Sequence, residues 1–203
     1  MLNKMLFVCL FVALFSAGSS LSCRWMNDKF QQHSEESMAL LDHMTNNSTN
    51  TTEDAELDAS LAFPYSLYNQ ASNASDEDKL AFTVHVLREV CGLFEEDYSA
   101  ASWEESTVED FLIVLNRQAD ELSSCVSSQP TTSLHGRKKK SPKLQMYFKR
   151  LSQLVLKKKE HSAEAWELIR TEIQRHLQRA DLLASSLIKL PADHIQHGVS
   201  DFI

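Results

Sequence analysis

Apolar side chains recur every three or four positions in five stretches of this chain, the period of an α-helix with one buried face. Between Arg24 and Met44 they fall at Met26, Phe30, Met38, Leu41 and Met44. The pattern lapses from Thr45 to about Asn73, a polar stretch that holds one apolar patch around Phe63, Pro64, Leu67 and Tyr68. It resumes at Leu80, Val84, Leu87, Cys91 and Phe94, behind a Ser75 N-cap. Asp76, Glu77 and Asp78 follow that cap, where acidic groups complement the helix dipole. A Ser106–Glu109 capping box predicts a third helix with Val108, Leu112, Leu115, Ala119 and Leu122 on one side. Ser141 and Pro142, as N-cap and first helical residue, open a fourth. Its stripe is Leu144, Tyr147, Leu151 and either Leu154 or Val155, and it ends on Lys157, Lys158 and Lys159. Ser162 caps a fifth, carrying Trp166, Ile169, Ile173, Leu177, Ala180, Leu183 and Leu187 until Pro191 stops it.

Five amphipathic helices without a credible strand predict an all-α bundle over residues 23–190, followed by a loose tail over 191–203. Glycine and proline number only 4 each, too few for the regular turns of a β-sandwich. The long first connection lets the first two bundle helices run parallel. That is the up-up-down-down topology of helical cytokines.

Upstream of the first helix the pattern is different. Lys4 precedes an unbroken apolar run from Met5 to Phe15, and Ser20 and Ser22 occupy the −3 and −1 positions of a cut before Cys23. These features predict a secretory signal peptide over residues 1–22, too short in its apolar core to span a bilayer. The expected product is extracellular, without membrane insertion. Cys9 leaves with the leader, so Cys23, Cys91 and Cys125 remain. An odd number in an oxidising compartment means one bridge and a free thiol, or pairing between chains. Cys91 shares the Leu87–Phe94 stripe, which marks it as a buried structural thiol.

The formal net charge of −8 argues against nucleic-acid binding, which shows a basic footprint. The sequence contains no nucleophile elbow, zinc-protease pair, phosphate loop or dinucleotide glycine pattern, so neither enzymatic activity nor a cofactor is expected. His194 and His197 have metal-ligand spacing but only Asp193 beside them, and read as a solvated tail. The basic run Arg137 to Lys140 reads first as a solvated loop and second as a weak heparan sulfate contact. Four sequons at Asn46, Asn47, Asn50 and Asn73 cluster in or beside the long loop and are candidates for N-glycosylation.

Two segments carry a resemblance. Tyr147 to Leu151 (YFKRL), followed by KKKEHSAEAWELIRTEIQRHL from Lys157 to Leu177, is similar to the last two helices of type I interferons. LFEEDYSAASWEESTVEDFL, from Leu93 to Leu112, resembles the junction of the second and third helices in that family. The cysteine arrangement looks most like the two-cysteine fish members. The resemblance implies a four-helix bundle with the fourth helix as a return crossover, which brings Cys23 and Cys125 to one end as a disulfide and leaves Cys91 remote. It also implies an antiviral cytokine that bridges two class II cytokine receptor chains and signals through JAK–STAT. Arg170, Thr171, Gln174 and Arg175 are then the expected contacts to the high-affinity chain, with Arg170 and Arg175 exposed. The family's second disulfide is missing, since Glu164 stands at one of its positions and the loop has no cysteine. The loop is expected to be held by packing instead. Another four-helix hormone or cytokine is the alternative, and a helical lipid carrier a more distant one.

Overall fold

The computed structural model describes residues 24–44, 61–127 and 141–188. The expectations for the leader, Cys23, Asn46, Asn47, Asn50, Arg137 to Lys140 and the tail fall outside these residues. Among the described residues there are six α-helices and no strand: α1 (24–43), α2 (Tyr65–Ser72), α3 (Asp76–Leu93), α4 (Glu105–Ser127), α5 (Pro142–Leu151) and α6 (Ala163–Ser185).

Three of the helix starts follow their caps. Ser75 Oγ accepts from Asp78 N at 3.2 Å, Ser141 Oγ from Leu144 N at 3.4 Å and Ser162 Oγ from Ala165 N at 3.3 Å. Each satisfies an amide that the first helical turn leaves without a partner. The start of α4 differs from the predicted capping box. Thr107 N and Val108 N both donate to Glu104 C=O, so Ser106 already lies inside the helix. The preceding Trp103 is drawn between the rings of Phe94 and Trp166, and this fixes where the helix begins.

The sixth helix, α2, was not expected. It forms within the polar connection, behind Pro64, because Leu67, Tyr68 and Ala71 share one face and are buried there. After α5 a π-helical turn (Ser152–Leu156) inserts an extra residue and turns both Val155 and Leu156 inward, leaving Leu154 41% exposed. The chain reverses through a 3₁₀ turn (Lys157–Lys159), with Glu160 and His161 both in the left-handed region at φ 53°.

Contacts between helices fix the topology. Ser34 Oγ donates to Asp181 and Gln174 Nε2 to Asp42, so α1 runs antiparallel to α6. Phe94 packs on Trp166, while Phe82, at the other end of α3, reaches His176 through Tyr68. Hence α3 is also antiparallel to α6 and parallel to α1. Arg88 faces Asp120 and Phe94 faces Phe111, which sets α4 antiparallel to α3. The four long helices run up, up, down, down. Between α4 and α6, α5 climbs alongside α3: Ser141 N donates to His85 Nδ1 at its foot, and Ser152 Oγ donates to Glu96 just beyond its top.

Trp166 anchors the upper core. It is fully buried among Phe94, Tyr98 and Trp103, and its indole Nε1 donates to Asp97 C=O at 2.9 Å. Replacing it by alanine removes several ring contacts and leaves that carbonyl without its donor. Trp166→Ala should therefore lower unfolding free energy by about 3–5 kcal/mol. Urea denaturation followed by far-ultraviolet circular dichroism measures this, and a loss below about 1 kcal/mol would contradict it.

Candidate functional site

The surface of α6 divides into a wide buried arc and a narrow outward strip. At about 100° per residue the buried positions cover about 160°, wider than the stripe of roughly 100° expected for a helix lying on one layer. Polar residues are therefore trapped inside the arc and must find partners there.

Arg170 is one of them. Its exposure was expected, and the structure corrects this: the residue is 8% exposed. Its guanidinium Nε and Nη2 donate to the Glu167 carboxylate at 2.6–3.0 Å, and Nη1 reaches Leu41 C=O at 3.4 Å. That carbonyl belongs to the last turn of α1, where acceptors without helical partners favour a cation. Arg170 thus ties α6 to the end of α1. Gln174 sits beside it, half-buried and bonded to Asp42 at 3.1 Å, and Thr171 donates to Glu167 C=O within its own helix. Arg175 is exposed, as expected, with Nη1 at 3.5 Å from Glu172 Oε2. The four predicted residues therefore do not act as one set. Thr171, Gln174 and Arg175 border the outward strip, whereas Arg170 lies beneath its α1 edge.

On the opposite edge the strip meets α2. Glu172 and His176 are buried with α2 and α5 packed over them. Tyr147 Oη donates to Glu172 Oε1 in a short hydrogen bond, and Tyr68 Oη lies 2.6 Å from His176 Nδ1. Phe63 stacks on Tyr68 at 5.3 Å between ring centroids and touches the His176 ring at 4.7 Å. Burial holds His176 neutral, pushing its pKa down to about 3. Burial also raises the pKa of Glu172, Tyr68 and Tyr147, with the Glu172 charge reinforcing the shift in both tyrosines. With Tyr68 protonated and donating to Nδ1, the imidazole N–H sits at Nε2 and faces Glu172 Oε1 at 3.7 Å. This cluster fastens the described end of the long connection to α6; packing through Phe63, Pro64, Leu67 and Tyr68 was expected, and the Tyr68–His176 hydrogen bond adds to it.

Three surface residues escaped the sequence reading. Tyr65 is 52% exposed, the Arg179 guanidinium lies 5.4 Å from the centre of its ring, and Leu182 is 61% exposed. The spacing Arg175, Arg179, Leu182 runs along one side of a helix and could have been read. Tyr65 could not, because its position depends on α2.

Cys91 is half-buried rather than fully buried, and its thiol is pushed up to about 12 by burial, so it is protonated and unreactive at neutral pH. Cys125 is fully buried near the end of α4. Asn73 is exposed just after α2, its Nδ2 donating to Asn69 C=O at 2.8 Å. No group of metal-ligating side chains occurs among the described residues, and no helix among them is long and apolar enough to cross a membrane.

A family model described as the interferon alpha/beta domain matches residues 26–187. The chain belongs to the alpha/beta, or type I, interferon family. Interferon a3 of rainbow trout (Oncorhynchus mykiss) is 36% identical over 180 residues, covering 88% of this chain and 95% of the trout protein. Interferon tau-2 of cattle (Bos taurus) is 29% identical over 124 residues, covering 60% of this chain and 72% of its own. The solved structure of zebrafish interferon 1 superposes with a TM-score of 0.66 at 33% identity, covering 80% of this chain and 98% of that one. This interferon is thus a helical cytokine similar to fish interferons.

The buried cluster sets a pH dependence. His176 has a folded-state pKa below its ordinary 6.5, so the unfolded chain takes up the proton first on acidification. Its contribution to stability is complete above about 6.5 and is lost as pH falls toward about 3. Glu172 acts in the opposite sense, since its raised pKa favours the folded state as pH falls through the carboxylate range. The two slopes oppose each other above about pH 4.5, so the histidine's share is read from the difference between parent and variant. The variant His176→Phe should lose, between about pH 3 and 6.5, a slope of up to about 1.4 kcal/mol per pH unit that the parent shows. Parallel curves for the two proteins in urea melts would contradict the assignment.

Proposed function

We propose that this interferon is a secreted antiviral cytokine that brings two class II cytokine receptor chains together and starts JAK–STAT signalling. Nothing is cut or transferred; the mechanism is two-sided binding. The observation that carries the reading is the outward strip of α6, where Arg175, Arg179 and Leu182 share one exposed side and Arg179 lies over the ring of Tyr65 of α2. Arginine and tyrosine are frequent interface hot spots, because each joins a flat apolar surface to directional hydrogen bonds. The high-affinity chain is assigned to this strip, and the second chain to the far side, formed by α3, α4 and α5.

Residues 1–22 act as the secretion signal in this reading, and Cys23 pairs with Cys125. Support for the pairing comes from topology: α1 begins, and α4 ends, at the same end of the bundle. A bridge closing a loop of about 100 residues would stabilise by about 4–5 kcal/mol in the chain-entropy model. Asn73 is exposed and accessible to a glycan; Asn46, Asn47 and Asn50 are further candidates.

The two arginines separate binding from folding. Arg175→Ala should weaken binding to the high-affinity chain by about 1–3 kcal/mol, mainly through faster dissociation, with little change in melting temperature. Arg170→Ala should instead destabilise the fold by about 1–3 kcal/mol, because Glu167 and Leu41 C=O lose their donor. Surface binding kinetics, thermal melts and interferon-stimulated transcripts in receptor-bearing fish cells measure all three effects. Unchanged binding for Arg175→Ala would remove this strip from the receptor interface.

A further inference from the structure

Residues 141–159 hold six of the chain's 20 lysines and arginines and none of its 28 acidic residues. In a protein of net charge −8 this is a local reversal of sign. The structure shows where the charge points. Leu144, Tyr147, Phe148, Leu151, Val155 and Leu156 face the core. Lys143, Lys149, Lys157, Lys158 and Lys159 are exposed on the other side.

Helix electrostatics accounts for only part of this. Lysines near a helix C-terminus complement the dipole, which suits Lys149 and the 157–159 turn. Lys143 lies in the first turn of α5, where a cation is unfavourable and where α5 has no acidic residue. The contrast with α3, which opens on Asp76, Glu77 and Asp78, is direct. Neighbouring acids meet only part of the row. Glu96 pairs with Lys157 at 3.1 Å and also accepts from Ser152, while Glu89 is occupied by His85 at 3.0 Å. Lys159 faces Glu164, and among the described residues no ion pair engages Lys143, Lys149 or Lys158.

We propose that the outer face of α5 and the turn after it bind a linear sulfated polysaccharide of the glycosaminoglycan class. Four arguments select that occupant. The cations are strung along the segment rather than gathered in a pocket, which fits a flexible chain of repeating anionic groups. Lys143 and Lys149 lie about 9 Å apart along α5 at 1.5 Å per residue, with the rest in the turn beyond it. Lysine supplies point charges on flexible stems, suited to sulfates of variable position rather than to one fixed carboxylate. The exposed apolar residues on this face, Met146 and Leu154, are two turns apart, too sparse to seat the face in a lipid bilayer. The protein's overall negative charge opposes an anionic partner over most of its surface, which favours a locally cationic segment such as this one. The site is distinct from the α6 strip. It would concentrate the cytokine near cell surfaces without occupying the high-affinity receptor face.

The experiment compares the intact interferon with two triple variants of equal charge change. K143A/K149A/K158A removes three of the row's five lysines, those without an ion pair; K29A/R88A/R117A removes exposed cations from α1, α3 and α4. Binding to immobilised heparin is measured across salt concentrations, with desulfated heparin and anionic phospholipid vesicles as further arms. The row variant should lose about tenfold or more in heparin affinity, with a shallower salt dependence, while the control variant binds as the parent does. Melting temperatures check that both variants fold, and binding to the high-affinity receptor chain should be the same in all three proteins. Equal losses in the two variants would show that bulk charge alone matters. Equal binding of desulfated heparin, or binding to vesicles in preference to heparin, would likewise overturn the proposal.

Discussion

The structure depends on the burial of α6 against three neighbours at once. A terminal helix on the edge of a bundle would bury one stripe and present the rest to solvent. Here α1, α3 and the α2–α5 pair cover it from different sides, so the buried arc takes in Arg170, Glu172 and His176 together with the apolar residues. Buried polar groups are costly unless bonded, and each of these is bonded to a different neighbour. Arg170 reaches α1, Glu172 reaches α5 and His176 reaches α2. The polar content of α6 therefore specifies which elements lie where around it.

The same constraint decides what remains for partners. Only a strip of α6 stays outside, bounded by α1 on one edge and α2 on the other. Two of its arginines are held rather than loose: Arg175 leans on Glu172 and Arg179 on the ring of Tyr65. Side chains ordered before binding lose less rotamer freedom on binding, which favours affinity. In this interferon the proposed receptor surface is an extension of the core packing beneath it.

Much of this was legible in the sequence. The stripes, the Ser75, Ser141 and Ser162 caps and the scarcity of glycine and proline lead directly to an all-α bundle. The long connection leads to its topology. What could not be read has a common physical cause. The two turns of α2 are too short for a helical period to stand out and form because Tyr68 finds a surface on α6 and α3. The start of α4 is set by Trp103 packing on rings distant in sequence. Arg170 lies off the Ile169–Ile173–Leu177 stripe, and its burial follows from α1 lying over that edge, information held in no local pattern. Arg175 was placed correctly, since its side of the helix meets no comparable cover.

Hydrogen exchange on the amides of α2 tests the anchoring of this segment to α6 most directly. The Tyr68→Phe variant keeps the ring stack and removes only the hydroxyl bonded to His176. If that bond holds the connection down, exchange in residues 65–72 should accelerate by about 5- to 150-fold, the equivalent of about 1–3 kcal/mol, while the cores of α3 and α4 keep their protection. Unchanged exchange in α2, or an equal loss of protection across the whole bundle, would contradict the account.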